Sequence, residues 1–436
     1  MAAPTPFERL LSRRNWLLGS TLAGASASGW LPLLARDVGT KGPMRSCLVL
    51  WMNGGPSQTD TFDMKPGHAN GGPYKAIQTS APGIEVCEHL PEVAKWMHQF
   101  AVVRSMSTRE GDHGRATEDL RTGYRPQGPI QFPILGSLVS NECGPQAGDL
   151  PNYVSILSRG LFRAGIPPAG FLGTEFAPLL VDGGGGGGAD RKLTVENLAL
   201  SRGVSADQSS DRLALLGDIE KPFLEGRPGI AAEGHRTAYA RGMRLMSARA
   251  AEAFDLDKES PETQARYGTS MFSQGCLLAR RLLERDVPFV EVSLGGWDTH
   301  YDNFDSVKNL CGTLDKPWAA LMQDLQDRGR LESTTIVWMG EFGRTPAINP
   351  QGGRDHYPKA WTALIGGGGV QGGAVVGGTG ADGLTVEDRL VSTPDFLATI
   401  LLSLGLDPQK QNLSNVGRPI RLTDPVANPV REIVKG

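Results

Sequence analysis

Clusters of carboxylates, histidines and other polar residues recur along the chain, and each follows a run of apolar residues. Hard oxygen donors combined with neutral imidazole nitrogen suit a divalent cation that keeps a position open for water or substrate. The clusters therefore predict a cation site, and zinc, manganese, magnesium and calcium would each fit such a mixed set with different preferences. They comprise Asn53, Ser57, Asp60 and Asp63 after a first run, Asp298 and His300 after a second, Glu341 and Arg344 after a third, and Arg354, Asp355 and His356 in the loop beyond.

The competing interpretation is that each acidic residue or histidine only caps a helix or a turn. For any single residue both roles are open. The set argues for a site, because His113, His300 and His356 all fall in polar loops of this kind although the chain has only 7 histidines. We expect the remaining histidines to be solvent-exposed or packing residues, namely His68, His89, His98 and His235.

Short apolar runs rich in β-branched residues define the elements that must position these clusters. Runs of this type indicate strands buried on both faces, as in a parallel sheet covered by helices. In such a sheet, ligands bind beyond the carboxyl ends of the strands, which is where the polar clusters lie. We predict strands at 46–53, 100–106, 287–294, 334–340 and 361–366.

Helical patterns separate several of these strands and would return the chain to begin the next parallel strand. Apolar spacing predicts helices over 262–285 and 304–327. The stretch from about 145 to 260 differs, with a glycine run at 183–188 and many serines and alanines, and we interpret it as a partly flexible inserted region. The predicted fold is a three-layer α/β/α domain over 41–436 with a largely parallel central sheet.

Composition argues against nucleic acid as a partner and against a framework built on cysteines. The 436 residues include 44 basic and 47 acidic ones, so the chain lacks the basic surface that binding to nucleic acid requires. The 5 cysteines are scattered and form no C-x-x-C pair, which argues against a cysteine zinc site or a dense disulfide framework. We expect them to be mostly buried thiols.

The first forty residues have the pattern of a processing segment. Arg13 and Arg14, followed by Trp16 and a weakly apolar run rich in small residues, resemble a twin-arginine export signal with a cleavage zone around Ala35. This predicts export in the folded state by the Tat translocase, and hence a periplasmic or otherwise exported protein. The alternative is a membrane anchor, but the uninterrupted apolar run is shorter than the roughly 18 residues that a span needs. We expect no stable membrane span in the mature protein.

Longer segments carry a family resemblance. With the twin-arginine leader, LVLWMNGGPSQTDTFDMKPG, LLARRLLERDVPFVEVSLGGWDTHYDNF and TIVWMGEFGRTPAINPQGGRDHYP resemble the exported proteins grouped as domain of unknown function 1501, within the alkaline phosphatase and sulfatase superfamily. The resembling segments cover most of the chain after residue 40. They imply an alkaline-phosphatase-like fold.

The resemblance also implies a set of metal ligands. One superfamily metal position is similar to Asp298, His300 and His356 in this chain. At the second position, Asn53 stands where the phosphatases have an aspartate, and Glu341 and Phe342 stand in place of an Asp-His pair. The resemblance therefore implies Glu341 as a further ligand of a weakened second position.

Counting back from the Thr-Gly pair at 122–123 places His113 at the position of the sulfatase nucleophile. Covalent chemistry through Ser, Thr or Cys does not carry over to a histidine. His113 could attack directly and form a phosphohistidine, or act as a general base or metal ligand while metal-activated water attacks. We favour the second mechanism, because a bound cation lowers the pKa of water enough to supply a nucleophile near neutral pH.

Arginines near the predicted site suit an anionic substrate. The guanidinium groups of Arg344 and Arg354 could hold phosphate or sulfate oxygens in a bidentate fashion, with Arg344 acting at the reaction centre. The alternative for both is an ion pair with an acidic residue of the same loops. We expect Asn53 and Ser57 to contact the substrate together with Arg354.

These expectations combine into two functional hypotheses. The first is an exported metal-dependent hydrolase of phosphate or sulfate esters, acting on an anionic small molecule or polysaccharide ester. The second is a catalytically degenerate relative that keeps one metal site as a binding or surface-assembly module. The residues at Asn53, His113 and Phe342 favour the second hypothesis, and the clustering at strand ends favours the first.

Overall fold

The computed structural model describes residues 45–125, 128–144, 148–158, 168–183, 192–195, 198, 200, 203–225, 230–246 and 248–435. Arg45–Gly436 forms one compact unit. The predicted export signal at 1–40 and most of the glycine run at 183–188 lie outside the described residues.

A ten-stranded sheet forms the centre of this unit. Its strand order is β13-β4-β12-β9-β1-β8-β5-β6-β7, with β16 pairing on β4. The central strands are buried along nearly their whole length, as apolar runs without alternation predict. The strands are β1 (Ser46–Met52), β4 (Phe100–Ser107), β5 (Tyr153–Ile156), β6 (Leu179–Gly183), β7 (Leu193–Thr194), β8 (Phe289–Leu294), β9 (Thr334–Met339), β12 (Trp361–Gly367), β13 (Ala374–Val376) and β16 (Val391–Ser392).

The sheet is largely parallel. Strand β1 lies between β8 and β9 and is parallel to both, while β5 continues the parallel order beyond β8. Strand β12 is antiparallel to β9 and β4, and β7 is antiparallel to β6. The carboxyl ends of β1, β8 and β9 therefore meet at one edge of the sheet, and the loops that leave them are neighbours.

Four short hairpins complete the strands. The pair of β10 and β11 contributes to the candidate site, because it places Arg344 opposite His356. These strands are β2 (Ala76–Gln78), β3 (Glu85–Cys87), β10 (Gly343–Arg344), β11 (His356–Tyr357), β14 (Gly378–Thr379), β15 (Val386–Asp388), β17 (Gln411–Leu413) and β18 (Pro419–Arg421).

Helices cover both faces of the sheet, which gives three layers. Leu48 and Leu50 of β1 pack in one core cluster with residues of α8 and α9, whereas the neighbouring Trp51 contacts Arg121 of α2 on the other face. The helices are α1 (Pro91–Ala94), α2 (His113–Thr122), α3 (Leu135–Glu142), α4 (Ala206–Glu225), α5 (Ile230–Leu245), α6 (Ala248–Phe254), α7 (Pro261–Tyr267), α8 (Met271–Glu284), α9 (Asn303–Asp327) and α10 (Thr393–Ser403).

The five predicted strands are confirmed to within two residues at each end, and the helix predicted over 304–327 is confirmed as α9. The helix predicted over 262–285 is instead two helices, α7 and α8. Gly268 separates them with φ of +101° and ψ of −177°, a conformation that glycine adopts readily and that does not continue a helix. The stretch 145–260, interpreted as an insertion, supplies β5, β6 and β7 of the central sheet as well as three helices.

The prediction that the cysteines are mostly buried thiols is confirmed. The 5 cysteines are free, and all but the half-buried Cys143 are buried. In the described part of the chain, no helix combines the length and apolar character needed to cross a membrane.

Candidate metal centre

The histidines singled out from the sequence meet at the carboxyl edge of the sheet. Asp298 and His300 lie in the loop between β8 and α9, and His356 begins β11. His113 is the first residue of α2, after the N-cap Asp112, whose side chain accepts a hydrogen bond from the backbone N–H of Arg115. The β8–α9 loop, the start of α2 and the start of β11 thus bring residues far apart in sequence to one place.

Asp298 is at the centre of the cluster. Its Oδ1 lies 3.1 Å from His300 Nε2 and 3.2 Å from His356 Nε2, and its Oδ2 lies 3.3 Å from His113 Nε2. One donor atom each from His113, Asp298 and His356 lies within 4.8 Å of the others, which is compact enough to hold one metal ion. His300 is not part of this group of three, but it lies against it, since its Nε2 is 3.0 Å from that of His356.

Each histidine is anchored through its other ring nitrogen. His356 Nδ1 donates to the carbonyl oxygen of Gly111 at 2.7 Å, and His300 Nδ1 pairs with Asp355 Oδ1 at 2.8 Å. His113 Nδ1 pairs with Glu341 Oε1 at 2.7 Å. Because a carbonyl or carboxylate oxygen accepts the proton on Nδ1, the neutral ring presents a lone pair at Nε2.

This arrangement fits a divalent cation. The Nε2 atoms of His300 and His356 lie 3.0 Å apart and within 3.2 Å of Asp298 Oδ1, a spacing that one cation bound by all three atoms would produce. The buried His113 Nε2 makes no hydrogen bond with any residue that the structure describes. Histidines that donate to an oxygen from one ring nitrogen and direct the other nitrogen at the ion are the usual arrangement of metal ligands. Three such nitrogens and one carboxylate oxygen form a donor set that zinc or manganese accepts.

Two glycines allow the loops to approach this closely. A Cβ atom on Gly54, whose φ is +113°, would lie 2.4 Å from the backbone nitrogen of Asp298. A Cβ on Gly353 would lie 1.8 Å from the carbonyl oxygen of His300. Any side chain at either position would push apart loops that carry ligands.

Glu341 lies behind His113 and is fully buried. Its Oε1 accepts hydrogen bonds from His113 Nδ1 and from the backbone N–H of Gly54, at 2.7 and 2.8 Å. Its Oε2 is buried without a hydrogen-bond partner among the described residues. The predicted ligand thus contacts one candidate ligand directly and keeps one oxygen free.

Phe342 forms an apolar wall of the site. Its buried ring lies 4.9 Å from the ring of His113 and 4.7 Å from that of His356, measured between centroids. A phenyl ring supplies no ligand atom, so the position holds the imidazoles in place by contact.

Arg344 is fully buried, and its guanidinium contacts protein atoms. It donates to the carbonyl oxygens of Gly54, Gly55 and Arg354, and to Asp298 Oδ1 at 2.5 Å. Its pKa is lowered by burial. Arg344 therefore positions Asp298, which corresponds to the ion-pair alternative and not to a contact with substrate.

Arg354 is likewise fully buried. Its Nε and Nη2 hold the two carboxylate oxygens of Asp60 at 2.7 and 3.0 Å, and its other donors reach the carbonyl oxygens of Asn70, Thr345 and Pro346. The ion pair joins the loop after β1 to the loop before β11. It leaves the guanidinium no role in binding substrate in this conformation.

The other two predicted substrate contacts differ from each other. Ser57 is fully buried and donates to Asp60 Oδ2 at 2.6 Å, so it belongs to the network beneath the site. Asn53 is half-buried, and its backbone pairs with Leu294 and Trp297 of the adjacent loop. The Asn53 side chain makes no hydrogen bond with the described part of the chain and is available to a ligand.

The surroundings shift the pKa values of His113 and Asp298 in opposite directions. The hydrogen bond with Glu341 raises the pKa of His113 above its ordinary value, against the opposing effect of burial. For Asp298, burial raises the pKa, but the hydrogen bond and positive charge of Arg344, with His113 and His300, bring it below the ordinary value. The Asp298 carboxyl is therefore ionised near neutral pH and ready to bind a cation.

One protein family matches nearly all of the chain after the first forty residues. Residues 44–434 match the family described as "Protein of unknown function (DUF1501)". The chain belongs to that family. No curated protein matches it.

Solved structures with a similar fold include members of the alkaline phosphatase superfamily. The PsFucS1 sulfatase from Pseudoalteromonas sp. is 13% identical, with 87% of this chain and 71% of that chain covered and a TM-score of 0.39. A protein of the alkaline phosphatase superfamily from Vibrio parahaemolyticus is 12% identical, covering 84% and 68%, with a TM-score of 0.38. The phosphonate monoester hydrolase SpPMH from Silicibacter pomeroyi is 10% identical, covering 84% and 74%, also at 0.38.

Proposed function

We propose that this protein is a hydrolase of phosphate or sulfate esters that depends on a divalent cation. The observation that carries the proposal is the convergence of three histidine Nε2 atoms on Asp298, with each Nδ1 anchored by an oxygen. In this proposal, His113, Asp298, His300 and His356 hold the cation. A cation bound there would supply Lewis acidity and lower the pKa of water.

The remaining residues of the site act by positioning. Glu341 holds His113, Asp355 holds His300, and Arg344 orients Asp298 while balancing its charge. Supporting contacts of this kind fix the ring orientation and the tautomer of metal-ligating histidines. Phe342 closes one side of the cluster against the buried core.

The partial exposure of the cluster gives an anionic ester access to it. The side chains of Asp298 and His113 are 46% and 35% exposed, whereas Glu341 and Arg344 behind them are buried. Zinc with four protein donors would have to expand to five ligands to accept an oxygen of water or of the ester, whereas manganese, which prefers six ligands, would keep positions open for it. Asn53, beside the β8–α9 loop, is the described side chain that we propose to contact the substrate.

A substrate panel tests this function. Protein loaded with zinc or manganese is assayed on a phosphomonoester, a phosphodiester and a sulfate ester, beside protein treated with a chelator. We expect turnover of at least one ester in the loaded protein, lost on chelation and restored by metal. His356→Ala should abolish it, since removal of a ligand removes the cation. Equal turnover in the chelated protein, or in His356→Ala, would contradict the proposal.

A second function is favoured by specific observations. Arg344 and Arg354 are buried and satisfied by protein atoms, and a phenyl ring fills the place of a second nitrogen ligand at Phe342. These features suit a relative that keeps one cation to hold loops together and binds a partner without turnover. Bound metal with no turnover of any ester in the panel would select this function.

We also propose that the protein is exported through the Tat translocase to the periplasm, on the basis of Arg13 and Arg14. Export in the folded state suits a metalloprotein, because the cation can be loaded before translocation. Fractionation of cells that produce the wild type or a variant with both arginines changed to lysine tests this. We expect the variant to stay in the cytoplasm, and an unchanged distribution would contradict export by this route.

A further inference from the structure

An aromatic side chain lies beside the histidine cluster and faces solvent. Tyr301 follows His300 directly and is 67% exposed. Single exposed apolar residues are common on protein surfaces, so exposure alone does not indicate a role. The backbone around Tyr301 provides the further observation.

The loop that carries Tyr301 is fixed by the neighbouring loop 349–354. The carbonyl oxygen of His300 accepts a hydrogen bond from Asn349 Nδ2 at 3.0 Å, and the backbone N–H of Asn303 donates to Gly352 at 3.0 Å. Gly353 packs so closely that a Cβ there would lie 2.6 Å from the backbone nitrogen of Tyr301. The backbone of Tyr301 is therefore fixed by its neighbour, and its side chain faces solvent.

This backbone is also strained. Asp302, next to Tyr301, has φ of +46° and ψ of 42°, a left-handed conformation that costs a non-glycine residue about 1 kcal/mol. Asp302 occupies the N-cap position of α9, yet its side chain makes no capping hydrogen bond. The strained residue thus gains no cap, and its conformation sets the direction of the chain at Tyr301. Strain of this kind gathers at functional sites.

A second apolar side chain stands nearby. Ile348 is 38% exposed and precedes Asn349, whose side chain bonds the carbonyl oxygen of His300. One exposed apolar residue therefore follows His300 in sequence, and another precedes the asparagine that bonds the His300 carbonyl. An aromatic ring carried on a fixed backbone can stack on a flat ring with little loss of conformational entropy.

We propose that Tyr301, together with Ile348, binds the ring of the alcohol part of the ester, so that the substrates are phosphate or sulfate esters of a cyclic group. This inference rests on the proposed hydrolase function and adds its substrate class. A sugar and an aryl group share the required chemistry, which is a flat face of C–H or π character. Arg344 and Arg354 are buried, so a ring contact at the rim supplies selectivity that the arginines do not.

Equilibrium binding tests this independently of turnover. Phosphonates and sulfonates resist hydrolysis, so we would titrate metal-loaded protein by calorimetry with methylphosphonate, phenylphosphonate and the phosphonate analogue of glucose 6-phosphate. Methanesulfonate and benzenesulfonate serve the sulfate case. We expect at least one cyclic ligand to bind about tenfold more tightly than its methyl counterpart, and the sugar and phenyl arms show which ring is preferred.

Variants assign the effect to Tyr301. Tyr301→Ala should bring the cyclic ligand to the affinity of the methyl ligand while leaving the methyl ligand unchanged, and Tyr301→Phe should keep the preference. Tyr239→Ala is a matched control, because Tyr239 is a 52% exposed tyrosine on α5. Three results would overturn this inference without touching the hydrolase function. They are equal binding of cyclic and methyl ligands by the wild type, a preference for the cyclic ligand that survives in Tyr301→Ala, and a change of oligomeric state in Tyr301→Ala. Failure of the wild type to bind any phosphonate or sulfonate would contradict the hydrolase function as well.

Discussion

The chemistry of the candidate site depends on which nitrogen of each histidine is free. His113, His300 and His356 differ in their anchors, which are a buried glutamate, an exposed aspartate and a backbone carbonyl. All three anchors have the same effect, because each accepts a hydrogen bond from Nδ1 and leaves Nε2 directed at Asp298. A cation bound among these atoms would be held by the three Nε2 nitrogens and the Asp298 carboxylate.

Removal of one ligand should therefore abolish tight metal binding. For His356→Ala we expect at least about a hundredfold loss of zinc affinity, measured by competition with a chromogenic chelator. His68→Ala is the control, since His68 is exposed and its Nδ1 accepts a backbone N–H within its own turn. Equal zinc affinity in His356→Ala and the wild type would show that the cluster is not the site.

The raised pKa of His113 predicts a pH dependence in the metal-free protein. A group whose pKa is higher in the folded state than in the unfolded chain stabilises the fold below its unfolded value and loses that effect as pH rises through the folded value. The His113–Glu341 pair should therefore contribute more at about pH 5.5 than at about pH 8.5. Urea denaturation of the wild type and His113→Gln, both treated with a chelator, measures the contribution of the pair to the free energy of unfolding at each pH. A larger cost of the substitution at the higher pH would contradict this assignment.

Residue types and positions in the sequence found the candidate ligands but not the groups that hold them in place. Asp298, His300 and His356 stood in polar loops after apolar runs, and the fold brings them together. The carbonyl of Gly111 carries no sequence signal, because every residue has one. Asp355 did carry a signal, as an acidic residue next to His356, but its contact with His300 depends on how two loops pack.

At the scale of elements, the loops after β1, β8 and β9 are held together by buried charge. Arg344 joins the β1 and β8 loops, and Arg354 joins the β1 loop to β11. The sequence predicted the strands because continuous apolar runs of strand length have few alternatives. It did not predict the direction of the two guanidinium groups, since a polar loop gives the same pattern whether its arginine faces a substrate or nearby carbonyl oxygens.

The contribution of the Arg354–Asp60 ion pair to the stability of the fold can be tested by substitution. Both side chains are fully buried, so Arg354→Met would leave an unpaired buried carboxylate and should lower the free energy of unfolding by about 3–5 kcal/mol. Urea denaturation measures the loss. Lys95→Met is the control, because Lys95 pairs with Glu92 at the surface, where an ion pair contributes little. Unchanged stability combined with weaker substrate binding would restore the role predicted from the sequence.

At the scale of the molecule, the parallel order of β9, β1 and β8 places separate loops at one edge, and the cation would link them. Sequence reasoning predicted this layered architecture from strand spacing. It did not predict that 145–260 contributes β5 beside β8, because the short run at 153–156 stands among glycines, serines and alanines that obscure it.

Metal should therefore stabilise the whole fold. A ligand that binds only the folded state at about a hundredfold excess over its dissociation constant adds about 2.7 kcal/mol to the free energy of unfolding. We expect a gain of this order for zinc or manganese with wild-type protein in urea denaturation, and none with His356→Ala. An equal gain in both proteins would place the metal elsewhere.

The most direct measurement is an anomalous difference map from crystals of the wild-type protein grown with zinc. The account predicts one strong peak at about 2 Å from Nε2 of His113, His300 and His356 and from a carboxylate oxygen of Asp298. A map without density between these four side chains, with the zinc bound at another place or not at all, would contradict it.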